Sequence, residues 1–207
     1  MKAQLKGYGI AIGVTILLVA LDPYNRIVRN ALKDAVGGVP VWADHMFFML
    51  ALYVAVAIFL AWLLLGKREA FLASPSRQGW ITGAVSGVGL LVVLAVVLAL
   101  LGQLRLALDF NVPLLFGNVF SNFYEELIYR GIVLGIGVKY TRQEPVAIAM
   151  SVIVFSRGHL HYPWQLVLVV IGAGILWAAM TLKYRSLWPA YASHMVSDVL
   201  ARILFGV

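Results

Sequence analysis

From Trp80 to Leu101 the chain carries no charged residue. A run of that length matches the roughly 20 apolar residues that a helix needs to cross a bilayer's hydrocarbon core. Other apolar segments follow the same pattern. Tyr8–Leu21 is short and bounded by Lys6 and Asp22, and His45–Leu65 is closed by Lys67-Arg68-Glu69. Pro113–Val138, Pro145–Phe155, Trp164–Leu182 and Leu187–Phe205 complete the set. Hydrophobic residues make up 62% of the 207 residues and charged ones 12%, against about 45–50% and 25% in soluble domains. The expected fold is all-α, a polytopic membrane helix bundle of about seven transmembrane helices, with six to eight as the range. Residues 1–79 read as N-terminal helices plus an interfacial loop, and residues 80–207 as the core. Pro23, Pro40 and Gly37-Gly38 mark residues 22–44 as that loop, with an amphipathic helix across Arg26–Val36.

Several classes fall away at once. The chain has no cysteine, which removes disulfides, thiolate metal sites and cysteine nucleophiles. The net charge of +7 sits mostly at the flanks of apolar runs, where it sets topology rather than binding nucleic acid. Lys6 and the run after it resemble the start of a signal peptide, but no small-residue cleavage site follows, so the segment reads as an uncleaved helix. Lys and Arg favour the side holding the N-terminus by nine to six, which places that end in the cytoplasm. Small residues recur at helix-packing spacing in Gly9/Gly13, Gly83/Gly87 and Gly131/Gly135. Trp42, Trp80, Trp164 and Trp188 lie near span ends as interface anchors.

The chemistry lies in the charges that the apolar spans contain. A charge at the centre of a spanning helix costs about 2.5–3.5 kcal/mol on insertion scales, so it must face protein or water and find a partner. Glu125, Glu126 and Arg130 all fall within the fourth span. Glu126 and Arg130 are four positions apart and share a face. Glu125 is turned from Glu126 by about 100°, so Arg130 cannot easily neutralise both. One carboxylate is held by the arginine and the other is free for general acid–base work. Phe155 and His159 share a second face, and His194 and Asp198 a third. If these faces meet at Glu125, the site holds two carboxylates and two imidazoles. Such a set can activate water and stabilise an oxyanion. Each pair also has a plain structural reading, as a buried ion pair or an intrahelical hydrogen bond. His45 and His161 belong to that plainer class.

These motifs resemble a known family. Glu125-Glu126-Leu127-Ile128-Tyr129-Arg130 fits EExxxR, Phe155 to His159 fits FxxxH, and His194 to Asp198 fits HxxxN/D. Their order and separation are similar to the CPBP family of intramembrane proteases, which includes the type II CAAX prenyl proteases and bacteriocin-processing (Abi) enzymes. The resemblance covers about residues 80–205. It implies a CAAX-protease-like helical core around a polar cavity, and peptide-bond hydrolysis of the glutamic type. It further implies that Glu125 activates water, that His159 helps hold it, and that His194 and Asp198 stabilise the oxyanion. Glu126 and Arg130 would brace the site, with Phe155 supporting. The last position is Asp198 where the prenyl proteases have Asn, and Asp can instead orient His194, stay protonated or bind a cation.

Four readings follow. The first is a metal-free intramembrane endopeptidase acting on a membrane-associated or exported protein. The second is the same enzyme with zinc held by Glu125, His159 and His194, although no HExxH is present. The third is a non-catalytic immunity or scaffold protein of the same fold. The fourth is a proton-coupled transporter, against which stands the absence of paired half-repeats. Expected partners are the lipid bilayer and a protein or peptide substrate, in the inner (plasma) membrane of a bacterium.

Overall fold

The computed structural model describes residues 2–38, 40, 43, 56, 58–59, 61, 63–65, 71–108 and 110–205. Among these the regular structure is entirely helical. α1 spans Lys2–Ala35, α2 Arg77–Leu100 and α3 Val112–Glu126. A π-helical stretch, Leu127–Leu134, continues directly from α3 into α4, Gly135–Thr141. α5 (Glu144–Arg157), α6 (Trp164–Tyr184) and α7 (Trp188–Phe205) follow.

Local chemistry explains the boundaries. Ser76 caps α2 by accepting from the Gly79 amide at 3.2 Å, and Asn111 caps α3 through Leu114 N at 3.3 Å. Pro113 sits in the first turn of α3, where its missing N–H costs nothing. Arg142 and Arg185 adopt the left-handed conformation that closes α4 and α6. The Gly37 and Gly38 amides return to Asp34 and Lys33 carbonyls at positive φ, ending α1 as glycine permits.

The first expected span does not stop at Asp22. α1 runs on to Ala35 with Pro23 inside it, absorbing residues 22–35 of the expected loop and, but for Val36, the expected amphipathic helix. Proline removes one backbone donor, and the good helix formers after it, such as Arg26, Leu32 and Lys33, carry the helix onward. The expected span His45–Leu65 lies largely outside the described residues. The other boundaries follow the apolar runs closely.

Three described helices are long and apolar enough to cross a membrane: Gln4–Ala35, Arg77–Leu100 and Trp164–Tyr184. The remaining helices do not meet that standard. α5 has 14 residues, about 21 Å at 1.5 Å per residue, against a hydrocarbon core of about 30 Å. The rod from α3 to α4 and α7 are interrupted by charges.

That rod is the centre of the molecule. From Leu127 to Gly137 every residue except Tyr129 is buried. One side of it packs on Ala11 and Leu18 of α1, through Ile128, Ile132 and Ile136. The other side packs on α5, α6 and Leu187, through Leu127 and Leu134. The most extensive helix pair is α2 with α7. A Cβ on Gly83 would collide with the Pro189 carbonyl, and one on Gly87 with the Ser193 carbonyl and the Val196 side chain. The Gly83/Gly87 pair therefore does allow backbone approach. Among the described residues a Cβ on Gly9 or Gly13 would meet nothing within 4 Å. Gly7, two residues before Gly9, meets the Tyr140 carbonyl.

Candidate active site

Three separated pieces of chain deliver the motif residues. Glu125 and Glu126 end α3, and Arg130 stands in the π-helical stretch. His159 follows α5, while His194 and Asp198 are one turn apart on α7. Glu126 and Arg130 are fully buried, with Arg130 Nη1 donating to Glu126 Oε1 at 3.1 Å. The same oxygen lies 2.9 Å from His194 Nδ1. The other ring nitrogen, Nε2, is 3.3 Å from Asp198 Oδ2. Arg130, Glu126, His194 and Asp198 thus form one line, from the closed interior to a side chain that is 43% exposed.

An aromatic floor fixes this line. The Arg130 guanidinium lies 4.4 Å from the Phe155 ring centroid and 5.1 Å from that of Trp177, within cation–π range. The His194 ring stacks on Trp177 at 4.1 Å and 24°. Trp177 in turn donates its indole N–H to Ser193 Oγ at 2.9 Å, and Ser193 Oγ is 3.1 Å from Ser86 Oγ. Trp177, Ser193 and Ser86 were missed by the sequence reading. The available signal was a tryptophan in the middle of an apolar span, where interface anchoring gives no reason for it.

His159 Nδ1 is 3.1 Å from the Phe155 carbonyl. A carbonyl only accepts, so the proton sits on Nδ1 and Nε2 is left as an acceptor. His159 lines a cavity of about 440 Å³ together with Phe155, Trp177, His194 and Asp198. Leu90, Leu94 and Leu98 of α2 and Val169 and Val170 of α6 supply much of its apolar wall. Glu125 and Glu126 are not among the lining residues. His194 meets Glu126 directly, and Glu125 is the next residue along the chain. Glu125 has Oε2 buried without a hydrogen-bond partner, as do Glu126 Oε2 and Arg130 Nε and Nη2. Buried unpaired polar atoms are rare in folded proteins.

The residues do not fit a zinc centre in this arrangement. Among the described residues no three His, Asp or Glu side chains form a group able to hold a metal ion. His194, one of the three expected ligands, has both ring nitrogens turned toward carboxylate oxygens. His161 is exposed beside Tyr162 and takes no part; His45 lies outside the described residues.

Compared with known proteins, residues 107–200 match the family model described as Type II CAAX prenyl endopeptidase Rce1-like. The match covers just under half of the chain and includes every motif residue above. No curated protein and no solved structure matches the chain.

Proposed function

From the premise that residues 107–200 carry the type II CAAX prenyl endopeptidase-like segment, we propose that this integral membrane protein is an intramembrane endopeptidase. It hydrolyses a peptide bond of a membrane-associated or exported protein. Residues 80–207 form its catalytic core, and about seven helices cross the bilayer. The observation that carries the reading is the unbroken line Arg130–Glu126–His194–Asp198, which ties the first motif to the third beside a cavity that His159 also lines.

In this mechanism Glu125 takes a proton from water as the hydroxyl adds to the scissile carbonyl carbon. His159 Nε2 holds that water by accepting its second hydrogen. The carbonyl oxygen becomes an oxyanion, toward which His194 Nε2–H donates as it gives up its contact with Asp198, while Glu126 on Nδ1 keeps the ring aligned; an ionised Asp198 accepts only and cannot donate itself. Glu125 then returns its proton to the leaving amine as the C–N bond breaks. Glu126, Arg130 and Phe155 hold the frame. Support for Glu125 comes from its buried, unpartnered oxygen and its place next to Glu126, which bonds His194.

The test is cleavage of a membrane-anchored peptide by purified protein in nanodiscs. Glu125→Gln and His159→Ala should each lower turnover about 10²-fold or more, the usual worth of general acid–base groups. Undiminished cleavage by Glu125→Gln would remove it as the base. Activity should also survive chelation, whereas loss with EDTA and recovery with zinc would establish the metal-dependent form. A second reading, a non-catalytic membrane protein of the same fold, draws on Glu125 standing outside the cavity wall; no cleavage by wild type would favour it.

A further inference from the structure

The cavity contains a cation that this chemistry does not use. Arg202 lies on α7 one turn beyond Asp198 and two beyond His194, and it lines the same cavity. Its Nε is buried without a hydrogen-bond partner. Asp198, four residues away and a natural partner, makes its short contact with His194. Among the described residues no ion pair to Arg202 forms. The other polar lining includes two neutral amides, Gln103 and Asn118.

A cation in the last turn of a helix is favoured by the carbonyl end, and a long arginine side chain can reach along apolar surface to the membrane interface. Neither accounts for a half-buried guanidinium that lines this cavity with its Nε closed off and unpaired. A guanidinium matches a carboxylate in a planar, two-pronged hydrogen-bonded pair. The leucines of α2 and valines of α6 in the same wall suit an apolar chain attached to that carboxylate.

We propose that the cavity holds its substrate by a carboxylate seated on Arg202, with the substrate's apolar chain along the α2–α6 wall. The inference rests on the reading of the occupant as a peptide and adds which of its groups is gripped. That group is a C-terminal carboxylate or an acidic side chain.

The experiment uses the full chain in phosphatidylcholine nanodiscs and three dansylated tetrapeptides of leucine and alanine. One has a free C-terminal carboxylate, one is its amide, and one is an amide with a single internal glutamate. In fluorescence titrations, wild type should bind the free acid or the glutamate peptide at least about tenfold more tightly than the plain amide, as hydrogen bonds to charged groups require. Arg202→Gln should erase the difference and Arg202→Lys should keep part of it. Should Arg202→Gln fail to fold, the wild-type ratio and Arg202→Lys decide. Preference for the free acid alone identifies the C-terminus, and equal preference for the glutamate peptide identifies a side chain. A wild-type ratio near one, an unchanged ratio in Arg202→Gln, or no binding of any peptide at millimolar concentration overturns the anchor. Binding is read without turnover, so the two ideas fail separately. Protein that grips the acid but cleaves nothing loses the endopeptidase reading and keeps the anchor. Protein that binds and cleaves acid and amide alike does the reverse.

Discussion

Glu125 and Glu126 are neighbours in sequence with opposite expected responses to the same change. Glu126 Oε1 serves both Arg130 and His194. Glu126→Gln would leave a buried guanidinium without its counter-charge, a loss of about 3–5 kcal/mol for a broken buried pair. The expected outcome is a large fall in melting temperature and yield. Glu125→Gln removes no such partner and should melt like wild type while losing turnover. Equal melting of the two variants would contradict this division of labour. Trp177 offers a third probe. Trp177→Leu removes the surface under His194 and the donor to Ser193, so kcat should drop about tenfold, as a fraction of the acid–base contribution, with KM little changed. Trp177→Phe should recover part of the loss through stacking. The spacing of four in Glu126/Arg130 and His194/Asp198 was legible because one helical turn is a fixed distance. The bond between Glu126 and His194 was not, since it joins residues 68 positions apart and depends on how two helices rotate.

At the level of elements, apolar runs gave the helix limits to within a few positions after residue 77. What they could not give is the π-helical stretch, since Leu127–Leu134 has the same apolar composition as a regular helix. Widened turns of this kind recur at functional sites, and this one starts at the residue after Glu126. Spacing also cannot separate glycines that meet a neighbour from glycines that meet nothing. Gly83→Val should force α2 away from the Pro189 carbonyl and lower stability, measured by thermal unfolding in detergent, by about 1–3 kcal/mol as overpacking does. Gly9→Ala has open space around it and should be neutral or stabilising by about 0.5–1 kcal/mol, the usual gain for Gly→Ala within a helix. Destabilisation at Gly9 would mean that its face is covered by something outside the described residues.

Across the whole molecule, the cavity draws on the late part of α2, the early part of α6 and the late part of α7. If successive helices run antiparallel, these lie at one end of the bundle, and the Lys and Arg count would turn that end to the outer face. The chain has no cysteine, so single cysteines at Arg142 and Arg157 give a clean readout with a membrane-impermeant maleimide. Arg157→Cys should label in intact cells and Arg142→Cys only after permeabilisation; the reverse would turn the cavity toward the cytoplasm. Membrane class and helical architecture were legible from composition, because little else tolerates so few charges. The number of crossings was not, since short or charge-bearing helices cross only when neighbours shield them. The glycine seam has its own implication. α2 carries none of the three motifs, yet its bare backbone strip rests against Pro189 and Ser193, on the turn leading into His194. A lesion in that strip, scored by activity alone, would be mistaken for damage to the chemistry more than a hundred residues downstream.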